Sequence, residues 1–137
     1  MVHLSLSQLS RAAAVIVKGR ATRQEYGWNA GHSMIMTLTT FAVDDVEKGS
    51  ALQTLVVEEP GGVMGNIQMR MDGTAHFYPQ ASYVLFLEPS HSGAGRFMPV
   101  GMMEGAFRTY RDAQTGTERV IPPVQGQLDA APGTPAM

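Results

Sequence analysis

Between Ala14 and Thr22 the chain alternates strictly, with Val15, Val17, Gly19 and Ala21 on one face and Ile16, Lys18, Arg20 and Thr22 on the other. A period of two marks a half-buried β-strand. The alternation returns at Met34, Met36 and Leu38, after which Phe41 and Val43 take over, so the apolar phase slips by one at Thr39–Thr40. Such a slip predicts a β-bulge, which would let one long strand bend across two faces of a barrel. Further strands are expected over Leu52 to Glu58, Tyr83 to Leu87, Phe97 to Met103, Ala106 to Arg111 and Glu118 to Ile121, the last two as a hairpin. The continuous apolar run Tyr83 to Leu87 reads as a strand buried on both faces.

Polar and glycine-rich stretches punctuate these strands. Gln24 to Gly31, with the single Trp28, reads as a turn, and Asp44, Asp45, Glu47, Lys48 and Gly49 as a solvated one. Pro60-Gly61-Gly62 stops the third strand, because proline cannot continue a central ladder. Residues 63 to 81 then form a long connection, beneath which Met64, Ile67, Met69 and Met71 are expected to pack. Near the start, Ser5 and Gln8 fit a capping box, and Leu4 and Leu9 a hydrophobic staple. They predict a short helix whose Leu6, Leu9 and Ala13 share a core-facing side.

The inventory predicts an all-β fold with one short N-terminal helix, as a small OB-like closed or partly open β-barrel over residues 4–121. A β-sandwich is the alternative, since strand spacing does not separate the two. Val15, Val17, Leu38, Phe41, Leu55, Val57, Val84, Phe86, Val100 and Phe107 should be buried together. Residues 122–137, rich in Pro, Gly and Ala, form a C-terminal tail expected to lie along the barrel or a neighbouring molecule.

Composition narrows the chemistry. The 137 residues contain no cysteine, which excludes disulfides, thiolate metal sites and thiol catalysis. Ten basic against twelve acidic residues leave no polycationic footprint for nucleic acid. The longest apolar runs, Ala12 to Val17 and Tyr83 to Leu87, are too short to span a bilayer. No signal-peptide pattern follows Met1, so the chain is either cytoplasmic or lacks a leader that was removed.

Several stretches resemble an uncharacterised bacterial β-domain found mainly in extracytoplasmic proteins. They are Ala13 to Ala21, Val46-Glu47-Lys48-Gly49, Pro60-Gly61-Gly62-Val63-Met64-Gly65, Val84-Leu85-Phe86-Leu87 and Val100 to Phe107. The layout is also distantly similar to the netrin-like, tissue-inhibitor-of-metalloproteinase class of OB barrels, without that class's cysteines. The resemblance implies a barrel and an extracytoplasmic location. It carries no catalytic residue, and protease inhibition does not transfer without the N-terminal cysteine.

The four histidines, His3, His32, His76 and His91, lack the close pairing of a zinc site and read as solvated loop residues. The adjacent pairs Asp44–Asp45 and Glu58–Glu59 point to opposite faces of a strand and read as solvated charge at strand ends. Glu104, in an apolar surround, reads as lying at a bend with its carboxylate in water or on an arginine. Ser90-His91-Ser92 lacks a nucleophile elbow, and Pro60 to Gly65 lacks the lysine and helix of a phosphate loop. Met69, Met71, Met98, Met102 and Met103 could fill an irregular core or form an adaptable contact surface.

The expectation is a non-enzymatic, extracytoplasmic binding or assembly module without cofactor or metal. Its partner would be a protein or a second copy rather than a small molecule, with no nucleic acid and no membrane span. Tyr26, Trp28, Met69, Met71, His76 and His91 are the binding-surface candidates. The alternatives are a hydrolase using a loop histidine and an OB-type binder of single-stranded nucleic acid.

Overall fold

The computed structural model describes residues 5–50, 53–71, 73–90 and 95–121, and the side chains of all of these except Met102 and Met103. One helix, α1 (Leu6–Ala12), precedes nine strands: β1 (Val15–Trp28), β2 (Ile35–Lys48), β3 (Thr54–Pro60), β4 (Gly62–Met64), β5 (Ile67–Met69), β6 (Ser82–Pro89), β7 (Arg96–Pro99), β8 (Ala106–Arg111) and β9 (Glu118–Ile121). A 3-10 turn, Met102–Gly105, links β7 to β8. Among the described residues the fold is all-β apart from this turn and the helix.

Seven strands form one sheet in the order β1-β2-β3-β7-β6-β8-β9, and β1 also pairs with β6. Those extra pairs close β1, β2, β3, β7 and β6 into a five-strand ring that is not a regular barrel. Its weakest joint is parallel and short. Only Val56↔Arg96 and Val57↔Phe97 connect β3 to β7, whereas six residue pairs join β1 to β6.

The ring closes because β1 bends. Its first part, Val15 to Arg20, pairs with β6 on one side and β2 on the other. The register with β2 then jumps from Ala21↔Phe41 to Arg23↔Thr40, leaving Thr22 as an extra residue. The bulge therefore lies on β1, opposite the position expected at Thr39–Thr40, and β2 runs through unbroken there. Past the bulge β1 pairs with β2 alone as far as Trp28, so Gln24 to Trp28 is strand rather than turn. Likewise β2 continues to Lys48, where a solvated turn was expected, with two further register shifts against β1.

The inward face of β2 is Ile35, Thr39 and Phe41, all fully buried, and Leu38 points outward and is only half-buried. The predicted phase slip was an illusion made by polar threonines on the core side and Met36 and Leu38 on the outer side. Asp44 and Asp45 are exposed, as solvated charge should be.

The expected single core is two. Inside the ring, Val15, Val17, Phe41, Leu55, Val57, Tyr83, Leu85 and Leu87 pack with Ala75 and Phe77. Phe41, Phe77 and Tyr83 meet edge to face, with ring centroids 4.9–6.0 Å apart, an arrangement aromatic quadrupoles favour. On the outer face, Leu9 and Ala13 of α1 cover Ile16, Phe86 and Val100, with Val84 and Phe107 partly buried against them. β6 therefore is buried on both faces, its odd residues in the ring and Phe86 under the helix.

The capping box is present at α1. Ser5 Oγ accepts the Gln8 N–H at 3.1 Å, and Gln8 Oε1 accepts the Ser5 N–H at 2.8 Å. Leu9 is 1% exposed but Leu6 is 62% exposed, so Leu6 leaves the face it was expected to share. Leu4, Leu52, His91 and the tail 122–137 lie outside the described residues. Among those described, no helix is long and apolar enough to cross a membrane.

Candidate functional site: a cleft at the end of the barrel

Past the Thr22 bulge, the β1–β2 hairpin extends beyond the reach of β6, and the chain from residue 73 to 81 crosses the end of the ring instead. Two backbone bonds anchor its far end to β1, from Gln80 N–H to Ala21 O at 2.7 Å and from Ala21 N–H to Ala81 O at 3.0 Å. The Tyr78 N–H donates to the Tyr83 hydroxyl at 2.8 Å, and Gln24 Nε2 donates to Phe77 O at 3.3 Å and to Thr39 Oγ1 at 3.1 Å. Ala75 and Phe77 thereby plug the ring. The methionines expected beneath this connection do not: Ile67 and Met71 are exposed, and no described methionine belongs to the buried core.

Short strands β4 and β5 form a separate hairpin that stands beside the crossing segment. The Gly61 N–H donates to Ile35 O at 2.7 Å, and Thr37 Oγ1 donates to Gly61 O at 2.7 Å, fastening the root of the hairpin to β2. Gly62 sits at φ +149°, and a Cβ there would lie 2.7 Å from Tyr26 Cδ1 and 3.0 Å from Ile35 Cγ2. Glycine is what allows the chain to turn out of β3 so close to β1 and β2. Met69 folds back, its Sδ accepting the Ile35 N–H at 3.4 Å.

Hairpin, crossing segment and the overshooting β1–β2 ladder enclose an open cleft of about 630 Å³. Tyr26, Val63, Met69 and Met71 give it an apolar wall, Arg70 and His76 stand on its rim, and Gln24, Thr37 and Glu59 give it polar depth. Four of the six sequence candidates, Tyr26, Met69, Met71 and His76, line this one cleft. Trp28 does not; its ring stacks on His32 at 4.4 Å in the β1–β2 turn, which Asn29 Oδ1 fixes by accepting the Ser33 and Met34 N–H groups.

The residue that sequence reasoning missed is Glu59. It was read as solvated charge, yet it is 5% exposed, because Leu55, Val57 and Glu59 occupy successive inward positions of β3. One oxygen, Oε2, accepts the Ala75 N–H at 2.8 Å. The other takes no hydrogen bond among the described residues and keeps contact with the cleft. Burial pushes the carboxyl up to about 8, opposed only by the Ala75 hydrogen bond. Desolvation disfavours the charged form, and no nearby cation offsets it. The signal was present in the alternation, as a carboxyl on the core phase of a strand.

Glu58 is equally buried but on the opposite face, where it accepts the Ser90 hydroxyl and pairs with Arg96 Nη1 at 3.6 Å. Its role is at the β3–β7 joint, and the solvated reading fails there too. Glu104, in the 3-10 turn, is 7% exposed rather than in water. Tyr83 has its phenol pushed up by burial, against the Tyr78 N–H and the charge of Arg108, which lies 5.1 Å over the Tyr78 ring. Among the described residues no group of three His, Asp or Glu is placed to hold a metal.

Compared with known proteins, the chain matches no family model, no curated protein and no solved structure.

Proposed function

We propose that this protein is a non-enzymatic binding module and that the cleft at the end of its ring is where its ligand enters. One observation carries the reading: a concave site of mixed polar and apolar lining that reaches one buried carboxyl of displaced pKa, a combination that marks a ligand-site candidate on an otherwise packed scaffold. The cleft is made by a hairpin and a crossing segment that the ring holds by identified hydrogen bonds, so the walls are positioned by the fold. Its size suits a compact group, either a small molecule or a side chain presented by a partner protein. On the sequence resemblance, such a module works outside the cytoplasm; fractionating the cells that make it checks this.

The test is a backbone-amide spectrum of labelled protein, titrated with amphiphilic small molecules and short peptides. Shifts should gather on Tyr26, Gly62, Met69, Thr74 and His76. Shifts scattered over the surface would sink the reading. So would turnover in a broad hydrolase panel that His76→Ala abolishes.

A further inference from the structure

We propose that the cleft selects an organic cation, an ammonium or guanidinium group on an apolar stem, with Glu59 as the anionic anchor at its inner end. The inference rests on the binding reading above and names the ligand class of that site. Three features of the geometry support it. Glu59 is 5% exposed and has one oxygen committed to Ala75, while the other faces the cleft without a partner among the described residues. A buried carboxylate of this kind is stabilised most by a cation brought to within hydrogen-bond distance, because charge-assisted bonds are the strong ones. Tyr26, Val63, Met69 and Met71 line the same cleft and offer apolar surface to the stem that would carry the charge. The polarizable thioethers and the tyrosine face add the adaptable and cation-tolerant surface such ligands use.

The proton balance is explicit. Free protein below pH 8 holds Glu59 as the neutral acid, since burial raises it to about 8. Binding of an ammonium ion requires the carboxylate, so the O–H bond of Glu59 breaks and one proton leaves for the solvent. The ammonium keeps its own proton and its charge up to about pH 9, given an amine near 10.4. Affinity should therefore rise about tenfold per pH unit below 8 and level off above it. Among the described residues, the other titratable groups that face Glu59 or the cleft are Tyr83 on β6, Tyr26 on β1, Arg70 after β5, and His76 and Tyr78 on the crossing segment. Arg70 stands at the rim with a charge that does not change over this pH range, so its repulsion of a cation leaves the trend unaltered.

Three probes of one shape decide the matter: 4-phenylbutylammonium, 4-phenylbutanol and 4-phenylbutyrate, titrated by calorimetry at pH 6, 7, 8 and 9. The expected result is preference for the ammonium by tenfold or more at pH 8, with affinity falling about fiftyfold from pH 8 to pH 6. About one proton should be released per ligand at pH 6.5, read from heats in buffers of different ionisation enthalpy. Glu59→Gln should abolish the preference and the pH dependence. If that variant does not fold, the proton release of the unaltered protein still decides. A blocked peptide with one central lysine that binds in the same way assigns the cation to a partner's side chain rather than a free amine. If the alcohol or the carboxylate binds the cleft in preference, or affinity falls as pH rises, the cation assignment is overturned and the binding reading stands. If none of the three binds, the cation assignment is also overturned, and the amide titration judges the binding reading separately.

Discussion

Glu58 and Glu59 are neighbours in β3, both are 5% exposed, and their carboxyls lie on opposite faces of the same strand. Outside, Glu58 meets Arg96 and Ser90 across the narrow parallel joint that closes the ring. Inside, Glu59 accepts only the Ala75 N–H among the described residues and lines the cleft. Side-chain alternation alone thus turns two identical carboxyls into a tie across the ring joint and an acid that lines the cleft.

Glu59 makes stability depend on pH in an unusual direction. Its folded-state value of about 8 lies above the ordinary 4.5, so the folded protein holds the proton more tightly than the unfolded chain between those limits. Its stabilising effect is full below pH 4.5 and is lost as pH rises to 8. The slope reaches about 1.4 kcal/mol per pH unit from this group. Urea unfolding at pH 5, 6.5 and 8 should show the fall, and Glu59→Gln should flatten it. An unchanged slope in that variant would place the titration on another group.

Arg96 should matter more to the ring than a surface cation does. Removing it as Arg96→Ala leaves the Glu58 carboxylate buried with Ser90 alone, next to a joint of two residue pairs. A broken buried pair is costly, although the half-exposed arginine moderates this, so a loss of about 1–2 kcal/mol is expected. Glu58→Gln in the same background should restore part of it, since the uncompensated charge is then gone. Chemical denaturation of the two single variants and the double variant measures both effects.

Much of the fold was legible because local chemistry and tertiary role agreed. The capping box at Ser5 and Gln8, the alternation of Val15 to Ala21, the apolar run of β6 and the β8–β9 hairpin each report a structure that their own residues determine. β2 failed where that agreement fails. Thr37 and Thr39 take core-side positions that make or accept hydrogen bonds at the cleft, while Met36 and Leu38 face outward, so hydropathy reads the phase backwards. The cleft itself was half legible: Tyr26, Met69, Met71 and His76 were named, but nothing local brings them together. Their meeting depends on bonds between residues far apart in sequence, from Gln24 to Phe77 and from Ala75 to Glu59. Glu59 could have been found by continuing the Leu55, Val57 phase by one more step.

Gly105 closes the 3-10 turn where two strands converge. A Cβ there would lie 2.6 Å from Val100 O and 2.8 Å from Phe86 O, both backbone atoms that cannot swing aside. Gly105→Ala should therefore destabilise by about 2–3 kcal/mol, in the range of overpacked sites. Gly65→Ala is the informative contrast, because nothing lies within 4 Å of a Cβ at that exposed hairpin tip. Its cost should come from its φ of +60° alone, about 1 kcal/mol. Thermal melts that show equal losses would mean that the β6–β8 corner relaxes more freely than its contacts allow.

The two cores should respond independently. Phe77, 6% exposed, plugs the ring against Phe41 and Tyr83, whereas Phe86, also 6% exposed, lies under α1 against Phe107. Each truncation to Ala should cost about 3–5 kcal/mol, the usual range for a buried phenylalanine. Half-buried Phe107 should cost less than either. The rings of Phe77 and Phe86 occupy clusters on opposite faces of β6 and share no packing partner, so their effects should add within about 0.5 kcal/mol. To keep the double variant measurable, Phe77→Leu and Phe86→Leu serve for the cycle, read by urea denaturation. Coupling well above that limit would show that β6 transmits strain between its faces. It would also mean that a change in packing beside Phe77 is felt beneath the helix. Near-additivity confines the consequences of binding to the ring end, where Phe77→Leu should alter the cleft amides and Phe86→Leu should not.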